Sequence, residues 1–270
     1  MRNRLLQLLS ENRKPFEPIQ NKIVAKDGAA SIYLYDAIVG DRLTAEWWGG
    51  VCPQDFVPAV RAIEADQITI YTNCPGGDVF AAEAMCQALR EHPAKVKMQI
   101  EGYAASAATA IACACDEVVA TPASKYMIHN TWTLALGNAD DLEAVVELLR
   151  KCDGTMYDAY EQRSGKSRDQ IIEWCKAETW FTAAQAVEQG FIDQVLDSAS
   201  ARRVDPAASR KWNLSAYANA PVIEPPAAPA QYEKSADPFV EALKTAFKSE
   251  DTHQRDRQQQ RLRLARLAHQ

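Results

Sequence analysis

Between Ser31 and Asp197 short apolar or alternating runs are interleaved with longer stretches in which apolar residues recur every three to four positions. A period of two places alternate side chains on one face of a strand, and a period near 3.6 places them on one face of a helix. Strands are therefore predicted at 31–35, 67–72, 95–100, 117–120 and 125–129, most of them followed by turn residues. Helices are predicted over 55–65, 78–91, 106–115, 139–163 and 182–189. The order opens strand, helix, strand, helix, strand, helix, which favours a parallel sheet with crossover helices, so the fold class is α/β.

The pattern fades on both sides of this region. Residues 1–29 are polar and mixed in charge and read as an N-terminal arm, leaving 30–200 as the domain. Residues 201–236 contain APVIEPPAAPAQYEK, a Pro/Ala-rich stretch inclined to extended geometry, and read as a linker. The tail at 237–270 has room for one or two helices, the last carrying Arg255, Arg257, Arg261, Arg263 and Arg266 against a single Asp256. Such a tail is either a partner-binding segment or a solvated helix with no partner.

Composition narrows the function classes. With 270 residues and 47% hydrophobic content, the chain can bury the core of one domain plus extensions. The longest apolar run, 104–119, is interrupted by Asp116 and falls short of the roughly 18 residues expected of a membrane span. The opening MRNRLLQLLSENRK has too small an apolar core for an export signal. Seven scattered cysteines without paired CxxC units fit neither a disulfide framework nor a zinc site, and a reducing cytoplasm is expected. A formal net charge of -6 argues against a nucleic-acid surface over the whole domain.

Candidate chemistry lies in three places. Ser106 follows an apolar strand in the run Gly102-Tyr-Ala-Ala-Ser106-Ala-Ala, where a helix begins and small neighbours admit a substrate backbone. Asn73-Cys-Pro-Gly-Gly77-Asp78 is a tight turn between a strand and a helix whose free N–H groups can face a cleft; it lacks the GxxxxGK[ST] pattern of a phosphate loop. Of four histidines, His253 and His269 sit in the tail and His92 precedes Pro93 at a helix end, which leaves His129 as the base. Taken singly, each is more commonly structural: a helix cap, a turn, a core histidine. Together they supply the nucleophile, the base and the oxyanion donors of covalent catalysis.

The runs NCPGGDVFAAEAM, GYAASAATAIACACDEVVATPASKYMIHN and ETWFTAAQAVEQGFIDQVLD resemble, in order and spacing, the ClpP-like serine peptidases, most closely their phage branch of prohead or head maturation proteases. The resemblance covers 31–197. It implies a crotonase-like α/β spiral of repeated βαβ units, assembled into a homo-oligomeric ring. It also implies Ser106 as nucleophile in the G-x-A-A-S motif, His129 as base in the M-I-H motif, and the Gly77 and Ala107 amides as the oxyanion hole. The family's third triad member is an aspartate; here the aligned position holds Glu178, with Glu173 the other carboxylate nearby, and a Ser–His dyad is the alternative. No metal or organic cofactor is implied. Scaffold and capsid proteins are the substrates expected of the phage branch, in a host cytoplasm within the assembling shell. A cellular ClpP-type subunit, an inactive ClpP-like assembly factor and a crotonase-type acyl-CoA enzyme are the competing readings.

Overall fold

The computed structural model describes residues 4–197 and 212–221. In chain order the elements are α1 (Arg4–Glu11), a 3-10 turn (Ile19–Lys22), β1 (Ile23–Lys26), β2 (Ala29–Leu34), α2 (Arg42–Trp48), α3 (Pro53–Arg61), β3 (Gln67–Cys74) and α4 (Val79–Arg90). They continue with β4 (Lys95–Ala105), α5 (Ala107–Cys113), β5 (Glu117–Ala120), β6 (Lys125–Ile128), α6 (Ala139–Ser164), α7 (Arg168–Lys176), β7 (Thr179–Thr182), α8 (Ala183–Glu188) and β8 (Gln194–Val195).

The sheet runs β1-β2-β3-β4-β5-β8, with β6 beside β4 and β7 beside β6. Pairing is parallel from β2 through β5 and on to β8, and antiparallel at β1/β2 and β6/β7. Parallel strands require crossovers, and the helices predicted from the 3.6-residue period supply them. The register aligns Ile32, Ile70, Met98 and Val118 in one row across four strands. All four are fully buried, which is the outcome their period-2 spacing requires.

β4 is the longest strand because it serves two partners along one edge. Lys97–Ile100 pairs with β5, and Tyr103–Ala105 then pairs with β6. The predicted strand stopped at residue 100 because alternation ceases there; Ala104 and Ala105 are both buried and give no period. β3 likewise runs on to Cys74 through a register shift that pairs Cys74 with Ala104. These extensions carry the chain to the edge where the candidate residues lie.

Three parts of the sequence reading need correction. The arm at 1–29 contributes α1 and β1, the latter hydrogen-bonded into the sheet. α7 and β7 arise in a stretch too polar or too short to show a period. The expected linker is packed over 212–221, where Trp212, Leu214, Ala216 and Tyr217 are buried with Leu8, Ala105 and Met127; four apolar side chains in six residues outweigh the Pro/Ala-rich surroundings. The rest of that linker and the tail at 237–270 lie outside the described residues.

Candidate active site

Ser106 stands at the junction of β4 and α5 with φ 54 and ψ -127. Left-handed backbone at a residue with a side chain is held only where surroundings determine it. Here the Ser106 amide donates to the Met127 carbonyl at 2.9 Å, and its own carbonyl accepts from the Thr109 amide at 2.8 Å and the Thr109 hydroxyl at 2.5 Å. The abrupt turn lifts Oγ off the helix axis, so the side chain makes no cap bond and faces the cleft instead.

His129 follows β6 directly. Because β6 is parallel to β4 with Ala105 opposite Met127, the two strands deliver Ser106 and His129 to the same edge. Ser106 Oγ lies 2.7 Å from His129 Nε2. The loop after His129 is fixed by the Asn130 amide on the Cys175 carbonyl at 3.2 Å, the Tyr157 hydroxyl on Asn130 Oδ1 at 2.6 Å, and the Thr131 amide and hydroxyl on Asp153 Oδ1, both at 2.7 Å. Burial pushes the imidazole down to about 4, opposed by the negative charge of Glu178 and reinforced by Arg4. The ring is therefore neutral at neutral pH, the form that can accept a proton.

The Pro-Gly-Gly turn presses against this pair. A Cβ on Gly76 would come within 2.5 Å of the Ala105 carbonyl and 2.7 Å of the Ser106 Cβ. At Gly77, with φ +144, it would fall 1.9 Å from the Ile38 carbonyl. Gly77 forms a parallel bridge with Ile38 in which the flanking Gly76 carbonyl and Asp78 amide make the bonds. The Gly77 N–H takes no part in that bridge. Ala107 is the first residue of α5, where an amide has no partner within the helix. Gly77 and Ser106 line the same cavity, and Ala107 follows Ser106 directly.

Glu178 is placed differently from the expectation that it orients the base. It is buried, at φ 49. Its carboxylate accepts from the Ala218 amide at 3.0 Å and the Asn219 amide at 2.6 Å, with Trp180 Nε1 at 3.5 Å and Arg4 at 4.0 Å. Among the described residues no hydrogen bond joins it to the His129 ring; it acts there through charge alone. Glu173 is exposed on α7 and bonds Gln170.

Tyr217, which sequence reasoning missed, completes the site. Its ring stands edge-on to His129 with centroids 5.5 Å apart, and its hydroxyl donates to the Pro75 carbonyl. Burial pushes the phenol well up, with the Ser106 hydroxyl opposing that shift as a hydrogen-bonding neighbour. Gly77, Phe80, Ser106, His129, Trp132 and Tyr217 border a cavity of about 160 Å³. Among the described residues no group of three or more His, Cys, Asp or Glu is arranged to hold a metal ion, and no helix is long and apolar enough to cross a membrane.

Comparison with known proteins gives one consistent match. Residues 56–199 fit the family model described as Clp protease. The chain is 30% identical over 139 residues to the ATP-dependent Clp protease proteolytic subunit of Deinococcus radiodurans, spanning 51% of this chain and 68% of that one. It is 30% identical over 163 residues to ATP-dependent Clp protease proteolytic subunit 1 of Streptomyces avermitilis, spanning 60% and 74%. Against the Bacteroides fragilis subunit, 34% identical, the match spans 63% of the relative. Among solved structures, a point mutant of ClpP1 from Listeria monocytogenes superposes with a TM-score of 0.53 at 20% identity, over 63% of this chain and 93% of that one. At that identity the superposition establishes the fold.

Proposed function

The chain belongs to the Clp protease family, and from that premise we propose that it is a serine endopeptidase with Ser106 as nucleophile and His129 as general base. The observation that carries this reading is the 2.7 Å approach of Ser106 Oγ to Nε2 of a neutral histidine, at a left-handed strand-to-helix turn. His129 takes the Ser106 proton as Oγ attacks a peptide carbonyl. The carbonyl oxygen, now an anion, settles on the Gly77 and Ala107 amides. His129 returns the proton to the leaving amine, and water, deprotonated by the same ring, releases the acyl group. Ser106 and His129 work as a dyad in the described arrangement, with Glu178 biasing the ring by charge.

The finer assignment is ATP-independent processing of assembly proteins, with scaffold and capsid chains as substrates. It is supported by residues 200–270 lying beyond the part matched by the family model and by the packing of a segment of that stretch on the site. The alternative, a proteolytic subunit fed by an ATP-driven unfoldase, is favoured by the relatives, which are ATP-dependent Clp protease proteolytic subunits. We assign the protein to a homo-oligomeric ring; the exposed Leu134, Leu136, Leu142, Val146 and Leu148, on α6 and the segment before it, supply an apolar surface for it.

The test is covalent labelling with a fluorophosphonate together with cleavage of purified scaffold and capsid proteins without ATP. Wild-type protein should label at Ser106 and cleave, and Ser106→Ala should lower both by more than about 10³-fold. Full turnover by Ser106→Ala would end the peptidase reading. Cleavage only with ATP and an unfoldase would move the assignment to the alternative.

A further inference from the structure

Residues 212–221 cross the candidate site and are fastened along their length. Near one end Asn12 Nδ2 donates to the Asn213 carbonyl at 2.9 Å, and the Asn213 amide returns to Asn12 Oδ1 at 2.8 Å. The Trp212 indole donates to the Asn73 carbonyl at 2.9 Å, and the Ser215 hydroxyl to Glu11 at 2.7 Å. Near the other end the Ala218 and Asn219 amides hold the two oxygens of Glu178, and Asn219 Nδ2 donates to the Ala177 carbonyl at 2.7 Å. Between these anchors Tyr217 stands on His129 and beside Ser106.

We infer that residues 212–221 are an intramolecular strap that covers one side of the Ser106–His129 site, with Tyr217 narrowing the cleft at the nucleophile and the Ala218 and Asn219 amides holding Glu178 away from the base. The inference rests on the roles given to Ser106 and His129 above. A cleavable segment must offer Ser106 a backbone carbonyl with its oxygen on the Gly77 and Ala107 amides. The strap offers a phenol, which has no acyl carbon, and the phenol donates to the Pro75 carbonyl of the same turn that supplies one oxyanion donor. The strap is thus an occupant, not a substrate, in this arrangement.

Glu178 is the second half of the device. A carboxylate beside a histidine ordinarily accepts the ring N–H and holds the tautomer that leaves Nε2 free. Here both oxygens are committed to consecutive strap amides, bonds strengthened by the acceptor's charge. Departure of the strap removes Tyr217 from the cleft and frees the same carboxylate for the imidazole. The closed form is the resting form, and reactivity rises when the strap leaves.

The experiment uses the full chain as wild type, Tyr217→Ala and Ala218→Pro, the last deleting one N–H donor to Glu178. Ser106 labelling by a fluorophosphonate is timed, and the His129 ring is titrated by carbon-detected NMR. Labelling at least tenfold faster in both variants, with His129 titrating higher than in wild type, is the expected result. Labelling at the wild-type rate with an unchanged His129 titration in both variants would overturn the strap. If no protein labels but His129 moves, the strap stands and the peptidase reading falls. Wild-type protein gives a check free of variant folding: hydrogen exchange at 216–219 should accelerate once Ser106 carries the phosphonate, and unchanged protection there refutes displacement.

Discussion

Replacing Ser106 by glycine should leave the fold more stable than replacing it by alanine. At φ 54 and ψ -127 the residue occupies backbone that glycine enters freely and side-chain-bearing residues enter at a cost of about 1–3 kcal/mol. Both substitutions delete Oγ and its contact with His129, a shared loss of about 0.5–1.5 kcal/mol. The difference between them isolates the Cβ. Glycine also gives the unfolded chain more freedom, which offsets about 0.5–1 kcal/mol of the relief. The net expectation is a glycine variant more stable by about 1.25 kcal/mol, the midpoint of a range of about 0–2.5, or about 2.5–5 °C in Tm for a chain of this size. Urea and thermal unfolding of the two variants at one protein concentration measure it, since association ties stability to concentration. An alanine variant as stable as the glycine variant would refute the claim that the fold stores strain at the nucleophile.

Three further outcomes are expected. Gly77→Ala places a Cβ 1.9 Å from the Ile38 carbonyl at φ +144 and must displace the turn, so phosphonate labelling of Ser106 should fall about 10²–10³-fold, the cost of one lost oxyanion donor. His129 should titrate near 4 in wild-type NMR spectra; because the unfolded state binds its proton first, near 6.5, folding stability should decline as pH falls from 6.5 toward 4, with Glu178 and Arg4 the charges that face the ring. Asp36→Asn removes the buried carboxylate that pairs with the buried Lys22 and should cost about 3–5 kcal/mol in chemical denaturation; because Asp36 lies two residues before Ile38, the partner of Gly77, labelling of Ser106 should fall with it.

Much of the fold was legible because its signals are local. Period-2 runs marked β2, β3 and the first half of β4, and the helical period marked α4 and α6, whose caps Asp78 and Asn138 are themselves read from adjacent residues. The turn at Ser106 was legible for the same reason, but a serine between an apolar strand and a small-residue helix is by itself more commonly a cap, and it became a candidate nucleophile only with the Pro-Gly-Gly turn, His129 and the order of the three motifs. The continuation of β4 past residue 100 was not legible, since Ala104 and Ala105 are both buried and show no alternation. α1 was missed because Leu8 is buried by the distant Trp212, Leu214 and Tyr217, and α7 and β7 because their stretch is too polar or too short to show a period.

The sequence by itself determined the α/β class and the three motifs and made Ser106 and His129 a candidate pair, because each motif is written in neighbouring residues and in their order along the chain. Only the tertiary structure decided the 2.7 Å approach between Ser106 and His129, which depends on β4 and β6 pairing residues 22 positions apart. It also decided the partner of Glu178. The choice between the His129 ring and the amides of Ala218 and Asn219 is a competition between contacts some 40 positions apart, and such a competition is settled by where packing brings the chain, which no local pattern encodes.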